Sequence, residues 1–311
     1  PAVPGFSALA NRPEPDRVEA VAERVAALVR LQRTPRDERR VTVLMPEYAG
    51  APGRTGWAVG LDVPASVRAL LEDMKAAGYW VQGAPEDERG LLDALATVPK
   101  DDRHARPWAG HPRLGAEARL GPEEGVDGRN SGLPEFRPLE TEVGKCRLRA
   151  KPGHDVDRVE LSLRDYRAAL STLPPEAVAA VHAAWGAPED DPDLTNGTFR
   201  FRAARFGNIT VAIAPDRGSH AERRAQYHDP ALPPRHALLA FGLWLQRSAD
   251  ALVHMGAHGT LEWLPGKHVA LTQACFPELL LGTLPVAYPF IVSNPGEAAQ
   301  AKRRIAAVTL G

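Results

Sequence analysis

"RRVTVLM" (39–45), followed by "VGLDVPASVRALLEDMKAAGYWVQG" (59–83), is the stretch that decides the fold. The first string is short and apolar, which is typical of a buried strand. In the second, apolar residues recur at helical spacing from Val67 to Met74, and Gly78 suits a helix C-terminal cap. "YWVQG" then resumes as a strand. Strand, helix and strand form a βαβ unit, which predicts a parallel sheet.

Helical and strand patterns continue on both sides of this unit. Helices are predicted over 16–31, 88–95, 162–186 (broken at Pro174-Pro175), 234–250 and 294–310, and strands over 206–215, 251–255 and 289–293. Residues 98–156 differ, because they are rich in Pro, Gly and charge and lack periodicity. Such a segment is typical of long surface loops or a domain boundary.

The predicted fold is therefore α/β, with two Rossmann- or flavodoxin-like parallel-sheet units. Residues 1–97 form the first unit, 98–160 an irregular Pro/Gly-rich connector, and 161–311 the second unit. Because the chain starts at Pro1 rather than methionine and ends directly after a helical pattern, we expect it to be part of a larger multidomain protein.

Composition excludes several classes of protein. The 38 basic and 39 acidic residues nearly cancel, which argues against a general electrostatic grip on nucleic acid or an anionic membrane. No apolar run approaches the roughly 20 residues that span a bilayer, and the start does not resemble a signal peptide. Two cysteines do not make a disulfide framework, so a reducing cytoplasm is the expected location.

A dense polar motif follows the strand predicted at 251–255. In "VHMGAHGTLEWLPGK" (253–267), His254 ends the strand, His258 sits between two glycines, and a helical turn at "TLEWL" brings Glu262 back toward the loop. In a parallel α/β sheet, functional groups gather at the carboxyl ends of strands. The three side chains are therefore candidate catalytic residues.

The spacing leaves the chemistry of this motif open. Two imidazoles and a carboxylate suit a divalent metal such as Co²⁺ or Zn²⁺, so His254, His258 and Glu262 form one candidate ligand set. They are equally candidate proton acceptors near pH 7, or simply a polar strand end with a tight turn. The H-E-x-x-H spacing of zincin proteases is absent, and "GAPGRTG" (50–56) lacks the lysine of a phosphate-binding P-loop.

Two further stretches offer candidate substrate-binding residues. "APDRGSH" (214–220) places Arg217 after a strand, where a guanidinium can pair with a substrate carboxylate. "QYHDPALPPRH" (226–236) offers His228 and Asp229. The alternative for each is an ordinary polar strand end or turn.

Long strings of the sequence resemble the large subunit of aerobic cobaltochelatase and its relatives, the porphyrin-binding H subunits of magnesium chelatase. They are "RTPRDERRVTVLMPEY" (33–48), "GLDVPASVRALLEDMKAAGY" (60–79), "YHDPALPPRHALLAFGLWL" (227–245), the motif at 253–267, and "ACFPELLLGTLPVAYPFIVSNPGEAAQAKRR" (274–304). The resemblance covers roughly 13–95 and 160–311. The tryptophan of "LEWLPGK" and the "YPFIVSNPGE" run are more similar to the cobalt branch.

The resemblance implies a tetrapyrrole-binding, metal-inserting subunit that forms nitrogen–metal bonds. It implies insertion of Co²⁺ into hydrogenobyrinic acid a,c-diamide during aerobic cobalamin synthesis, while AAA+ ATPase and integrin-I-like partner subunits hydrolyse ATP. The missing P-loop agrees with ATP hydrolysis elsewhere, and an isolated fragment is expected to be inactive. In this setting His254, His258 and Glu262 would deliver the ion and take pyrrole protons, while Arg217 and Lys267 would engage carboxylates or amides of the ring.

Alternatives to this interpretation are a magnesium chelatase H-type protein acting on protoporphyrin IX, a non-catalytic tetrapyrrole-binding scaffold, and a stand-alone zinc hydrolase. The chain departs from the family pattern at two positions. Ala257 stands where a lysine is expected, and Glu47 where an asparagine is expected.

Overall fold

The computed structural model of the protein describes residues 13–47, 55–56, 58, 60–96, 159–218, 226, 229–269, 271–289 and 294–310. The chain divides into two units, one of residues 1–99 with 148–311 and one of residues 100–147. All described residues belong to the first unit. The predicted connector therefore lies outside the described residues as far as residue 158.

The centre of the described unit is a six-stranded sheet. In chain order its strands are β1 (Val41–Met45), β5 (Ala203–Phe206), β6 (Ile209–Ile213), β7 (Ala251–His254), β8 (Val286–Pro289) and β9 (Val308–Leu310). Across the sheet the order is β5-β6-β1-β7-β8-β9. All neighbours are parallel except β5, which runs antiparallel to β6. The parallel strands thus follow the second-first-third-fourth-fifth order of flavodoxin-like folds.

The predicted α/β class and parallel sheet are confirmed, but the prediction of two separate sheet units is corrected. Strand β1, from the first predicted unit, lies between β6 and β7 of the second, with Val43 paired to Val211 on one side and Val253 on the other. All five β1 residues are buried, so the strand requires neighbours on both edges. Its local βαβ pattern did not reveal that these neighbours lie more than 150 residues further along the chain.

Eight helices surround the sheets among the described residues. They are α1 (Pro15–Arg33), α2 (Val63–Ala76), α3 (Glu88–Ala96), α4 (Leu163–Leu170), α5 (Pro175–Trp185), α6 (His236–Ser248), α7 (Phe276–Leu281) and α8 (Pro295–Ile305). Residues of α2 and α3 join one buried cluster with Val43 and Val211, and residues of α4 to α8 join another with Leu44 and Ala212. Since adjacent strand residues point to opposite faces, the two clusters cover the two sides of the sheet. Among the described residues, no helix is long and apolar enough to span a bilayer.

Three local predictions differ from the structure. "YWVQG" is not a strand, because Trp80 uses its carbonyl to accept a bond from the Asn208 amide rather than to join the sheet. The last predicted helix ends at Ile305, and the remaining residues form β9. A small antiparallel sheet was not predicted, because its strands have only two or three residues. They are β2 (Glu160–Ser162), β3 (Leu194–Thr195) and β4 (Thr198–Arg200), in the order β2-β4-β3.

Helix α1 turns most of its large apolar side chains away from the core. Val18, Val21 and Val25 are 54%, 62% and 54% exposed, and Ala27 is the buried residue of the helix. The helix is held instead by arginines, since Arg24 donates to the Gly282 carbonyl at 2.9 Å and pairs with α7. Amphipathic spacing therefore predicted the helix correctly but not the side that faces the protein.

Close approach of α6 to α7 depends on Gly242. A Cβ at this position would lie 2.5 Å from Cγ and 2.6 Å from the carbonyl oxygen of Leu280. We expect Gly242→Ala to lower the free energy of unfolding by about 1–3 kcal/mol, although alanine normally favours a helix. Gly296→Ala, in α8, is the control because its Cβ would meet nothing closer than 3.6 Å. Denaturant unfolding of both variants measures the effect, and equal or higher stability of Gly242→Ala would contradict the packing account.

Candidate functional site

The motif lies where β7 ends, at the point where the sheet connections reverse direction. Leu44 pairs with His254 at the ends of β1 and β7, and the Met255 amide donates to the Leu44 carbonyl at 2.9 Å. The chain after β1 continues to α2 on one face, while the chain after β7 continues to α7 on the other. This divergence opens the crevice in which flavodoxin-like folds bind ligands. The predicted placement of the motif at a strand carboxyl end is confirmed.

Gly256 allows the chain to turn over the end of β1. Its φ is +143°, and a Cβ would lie 2.6 Å from Cδ of Pro46. A side chain at this position would therefore meet both backbone strain and a steric clash. Gly259, with φ +92°, closes the same turn.

His254 lies under this turn and is fully buried. Its Nε2 lies 3.1 Å from the Ala257 carbonyl oxygen, which can only accept, so Nε2 carries the proton. The ring stacks on Tyr288 with centroids 4.1 Å apart. Burial lowers the pKa of His254 to about 4, with a smaller contribution from His258. His254 is thus an uncharged, weakly basic group that shapes the turn, and its role as a base or metal ligand stays a prediction.

The depressed pKa of His254 predicts how stability depends on pH. The unfolded ring protonates near pH 6.5 and the folded ring only near pH 4, so the stability contributed by the neutral ring is lost as pH falls through that window. The full loss is about 3 kcal/mol. His254→Gln keeps an N–H for the Ala257 carbonyl and cannot be protonated, so it should flatten this part of the stability profile.

Urea unfolding at pH 7 and pH 4.5 checks the expectation. His268→Gln is the matched control, because His268 is exposed and its replacement should leave the wild-type profile unchanged. The same loss of stability in His254→Gln as in the wild type would show that another group is responsible.

Glu262 is the second fully buried member of the motif. It belongs to a short 3₁₀ helix, Leu261–Trp263, as the predicted helical turn required. Its Oε1 accepts from the Gly259 amide at 2.7 Å and from the Tyr288 hydroxyl at 3.2 Å, while Oε2 is buried without a hydrogen-bond partner. Burial raises the pKa of Glu262, and the negative charge of Glu297 raises it further. The carboxyl group is therefore poised to hold a proton at higher pH than an exposed glutamate.

His258 faces the amino end of α8, whereas His254 and Glu262 are buried beneath the turn. Its Nδ1 lies 3.5 Å from Oε1 of Glu297, and its Nε2 lies 3.4 Å from Nδ2 of Asn294. The side chain is 37% exposed, so of His254, His258 and Glu262 it is the one that solvent or a ligand can reach.

The predicted metal site is not formed. No group of three or more His, Cys, Asp or Glu side chains within the described residues is arranged to hold a metal ion. Glu262 points to Gly259 and Tyr288, His254 points to the Ala257 carbonyl, and His258 points to α8. The three donors therefore do not share a ligand shell, which corrects the prediction that they bind the ion together.

Most of the predicted substrate-binding residues have structural partners. The Arg217 guanidinium is buried and donates to the carbonyls of Asp229, Leu232 and Trp263, so it ties the chain after β6 to the motif. The Asp229 carboxylate accepts from the Ala231 amide at 2.8 Å, as in a tight turn. These contacts give both residues a structural role, and substrate binding by either stays a prediction. Lys267 is exposed and remains a candidate, and His228 lies outside the described residues.

Sequence reasoning missed the arginine that supports the motif. Arg304 is 4% exposed and donates to the carbonyls of Glu262 at 2.5 Å, Leu264 at 2.8 Å and Lys267 at 3.1 Å. The neighbouring Lys302 and Arg303 are exposed. Helical spacing could have indicated that Arg304 is buried, because it follows the buried Ala301 by three residues and lies on the same face of the helix.

A small cleft opens beside the motif. Thr260, Leu261 and Leu264 form one wall, and the chain after β1 and β6 forms the other. The Thr260 hydroxyl is buried without a hydrogen-bond partner. The cleft is mostly apolar, which suits the edge of a flat organic ligand better than a free ion.

Comparison with known proteins gives a consistent result over nearly the whole chain. A family model described as CobN/magnesium chelatase matches residues 6–311. The aerobic cobaltochelatase subunit CobN of Pseudomonas aeruginosa is 37% identical over 95% of this chain and 20% of its own length. The H-type magnesium-chelatase protein of Rhodobacter capsulatus is 29% identical over 96% of this chain and 21% of its own length.

A solved structure agrees with these sequence matches. The catalytic subunit of cobaltochelatase from Mycobacterium tuberculosis superposes with a TM-score of 0.70 and 31% identity, covering 96% of this chain and 22% of that one. The chain therefore spans about a fifth of the length of the relatives that it matches.

Proposed function

The chain belongs to the CobN/magnesium chelatase family, and on that basis we propose that it is a segment of the tetrapyrrole-binding, metal-inserting subunit of a cobaltochelatase. The substrate would be hydrogenobyrinic acid a,c-diamide, and Co²⁺ would be inserted with formation of nitrogen–metal bonds in the cytoplasm. AAA+ ATPase and integrin-I-like partner subunits would hydrolyse the ATP. Because the chain is a fifth of its relatives' length, activity is expected of the longer protein and not of this segment alone.

The observation that carries the proposal is the placement of His258 and Glu262 just after the carboxyl end of β7. Insertion of a divalent ion displaces the inner N–H protons of the ring, one from a corrin such as hydrogenobyrinic acid a,c-diamide and two from a porphyrin, and a displaced proton needs an acceptor. His258 is partly exposed, and imidazole is the side chain best suited to exchange protons near neutral pH. Glu262 has a raised pKa and one oxygen without a hydrogen-bond partner. The two residues therefore offer acceptors for the proton that the ring releases.

Glu262 can serve in this way only if the turn above it moves. The side chain is fully buried, and the turn that covers it contains Gly256 and Gly259, both at positive φ. Glycines give such a turn the backbone freedom to shift when a large ligand binds. In this proposal the edge of the macrocycle enters the cleft beside Thr260, and His258 meets the ring before Glu262 does.

Co²⁺ enters as a substrate rather than as a resident cofactor. An ion that must pass to the ring needs donors that hold it loosely, and the described residues provide no group of three ligands that would retain it. Lys267, the last residue of the motif, is exposed. In this proposal it approaches a peripheral carboxylate or amide of the ring.

The main alternative is a magnesium chelatase H-type protein, which the 29% identity to the Rhodobacter capsulatus protein supports. The higher identities to two cobaltochelatase subunits, 37% and 35%, favour cobalt. A second alternative is a scaffold that binds a tetrapyrrole without inserting metal.

An insertion assay separates these functions. The full-length protein, with its partner subunits and ATP, is given either Co²⁺ with hydrogenobyrinic acid a,c-diamide or Mg²⁺ with protoporphyrin IX, and the change in ring absorbance is followed. We expect turnover with the first pair. Turnover with the second pair alone would assign the protein to the magnesium branch, and binding without turnover of either would indicate a scaffold.

A further inference from the structure

The amino end of α8 faces His258, and its capping residues touch both ring nitrogens. We propose that Asn294 and Glu297 are positioning residues that hold His258 as the tautomer with the proton on Nδ1, so that Nε2 presents a lone pair to the substrate. The inference about the tautomer stands on contacts alone. Its catalytic meaning rests on the proposed function.

Capping of the helix determines how the Asn294 amide is oriented. Its Oδ1 accepts from the Glu297 backbone amide at 3.5 Å, as the N-cap residue of a helix does. The NH₂ group must then be the end that faces His258, and Nδ2 lies 3.4 Å from Nε2 of that ring. An amide nitrogen can only donate, so this contact requires an unprotonated Nε2.

The contact on the other side of the ring requires a proton on Nδ1 of His258. Oε1 of Glu297 lies 3.5 Å from Nδ1 of His258, and an ionised carboxylate can only accept. Oε2 of the same carboxylate accepts from Nε1 of Trp263 at 2.5 Å, and this bond anchors the carboxylate. The proton of a neutral His258 is therefore drawn to Nδ1, which agrees with the state that Asn294 requires.

The arrangement suits a proton acceptor. The contact of Nε2 with Asn294 is long and lies on a partly exposed side chain, so a pyrrole N–H can replace it. As the proton arrives, the ring becomes a cation beside Glu297, which stabilises it. Titratable side chains that face His258 come from β7, as His254, and from α8, as Glu297.

Nitrogen NMR of the imidazole tests the tautomer directly. We would record magic-angle-spinning ¹⁵N spectra of the full-length protein with ring-labelled histidine at pH 8, where His258→Gln identifies the His258 signals. The expected result is a protonated Nδ1 and an unprotonated Nε2. In Glu297→Gln the new amide can also donate, so the preference for this tautomer should be lost. Glu278→Gln, on α7, is the control and should leave the His258 signals unchanged.

Insertion kinetics test the role of the tautomer. Glu297→Gln should lower kcat by about 10- to 100-fold, as loss of an orienting partner does for other functional histidines. KM should stay unchanged. A His258 protonated on Nε2, or no change of tautomer in Glu297→Gln, would overturn the inference. The predicted tautomer with wild-type kcat in Glu297→Gln would overturn its catalytic part. The predicted tautomer in a protein that inserts no metal would support the tautomer while refuting the proposed function.

Discussion

Glu262→Gln in the full-length protein is expected to lower the rate constant of metal insertion by about 10²- to 10⁴-fold, the usual contribution of a proton-transferring group. Glutamine keeps an oxygen for the Gly259 amide and the Tyr288 hydroxyl, which contact Oε1 of the native side chain. It cannot accept the pyrrole proton. The assay is single-turnover insertion of Co²⁺ with partner subunits and ATP present.

The same substitution should not destabilise the protein, and this separates a chemical role from a structural one. Burial raises the pKa of Glu262 above its usual value of 4.5. The stability that the neutral carboxyl contributes is fully present below that pH and is lost as pH rises through the folded pKa. Glutamine does not ionise, so at pH 8 the variant should be at least as stable as the wild type.

The control for Glu262→Gln is Glu176→Gln, which changes an exposed glutamate in the first turn of α5. Both insertion and unfolding should stay at wild-type values in this control. Normal insertion by a folded Glu262→Gln protein would remove Glu262 from the chemistry. A misfolded variant would instead assign the buried carboxyl to the structure of the turn.

Arg304→Met should loosen the whole motif loop. The guanidinium serves three backbone carbonyls between Glu262 and Lys267, and methionine leaves these acceptors without a donor. Each unsatisfied buried group costs about 1–3 kcal/mol, and relief of the buried charge offsets part of the sum. We expect a local loss of about 3 kcal/mol, which corresponds to roughly 100-fold faster amide exchange across 261–267.

Hydrogen exchange followed by mass spectrometry measures this loss in the full-length protein. Arg303→Met is the matched control, because it removes the same charge from the neighbouring, exposed position on α8. Its exchange across the loop should equal that of the wild type. Equal exchange in Arg304→Met as well would mean that the loop is held by other contacts.

Local patterns in the sequence predicted most helices and the position of the motif. The break at Pro174-Pro175 appears in the structure as predicted, because proline acts through its own backbone neighbours. "YWVQG" was predicted wrongly because its structure depends on residues that are distant in the chain. Its apolar residues fit a strand, but β6 and β7, which are distant in the chain, already occupy the two positions beside β1.

The donors of the motif were found from the sequence, but their partners were not. Spacing placed His254, His258 and Glu262 within nine residues, yet the three side chains point to three different surroundings. Their surroundings come from Tyr288 and from α8, which only the tertiary fold brings to the motif. The sequence therefore predicted where the chemistry lies, whereas burial and hydrogen bonding decided which side chain can exchange a proton.

The central claim is that the tetrapyrrole reacts at the carboxyl end of β7. The most direct measurement is a cryo-electron microscopy structure of the full-length protein with the metal-free tetrapyrrole bound. We expect a ring edge in the cleft beside Thr260. One ring nitrogen should lie about 3 Å from Nε2 of His258, which is within hydrogen-bond reach. A ring bound elsewhere, with no contact to residues 254–267, would contradict it.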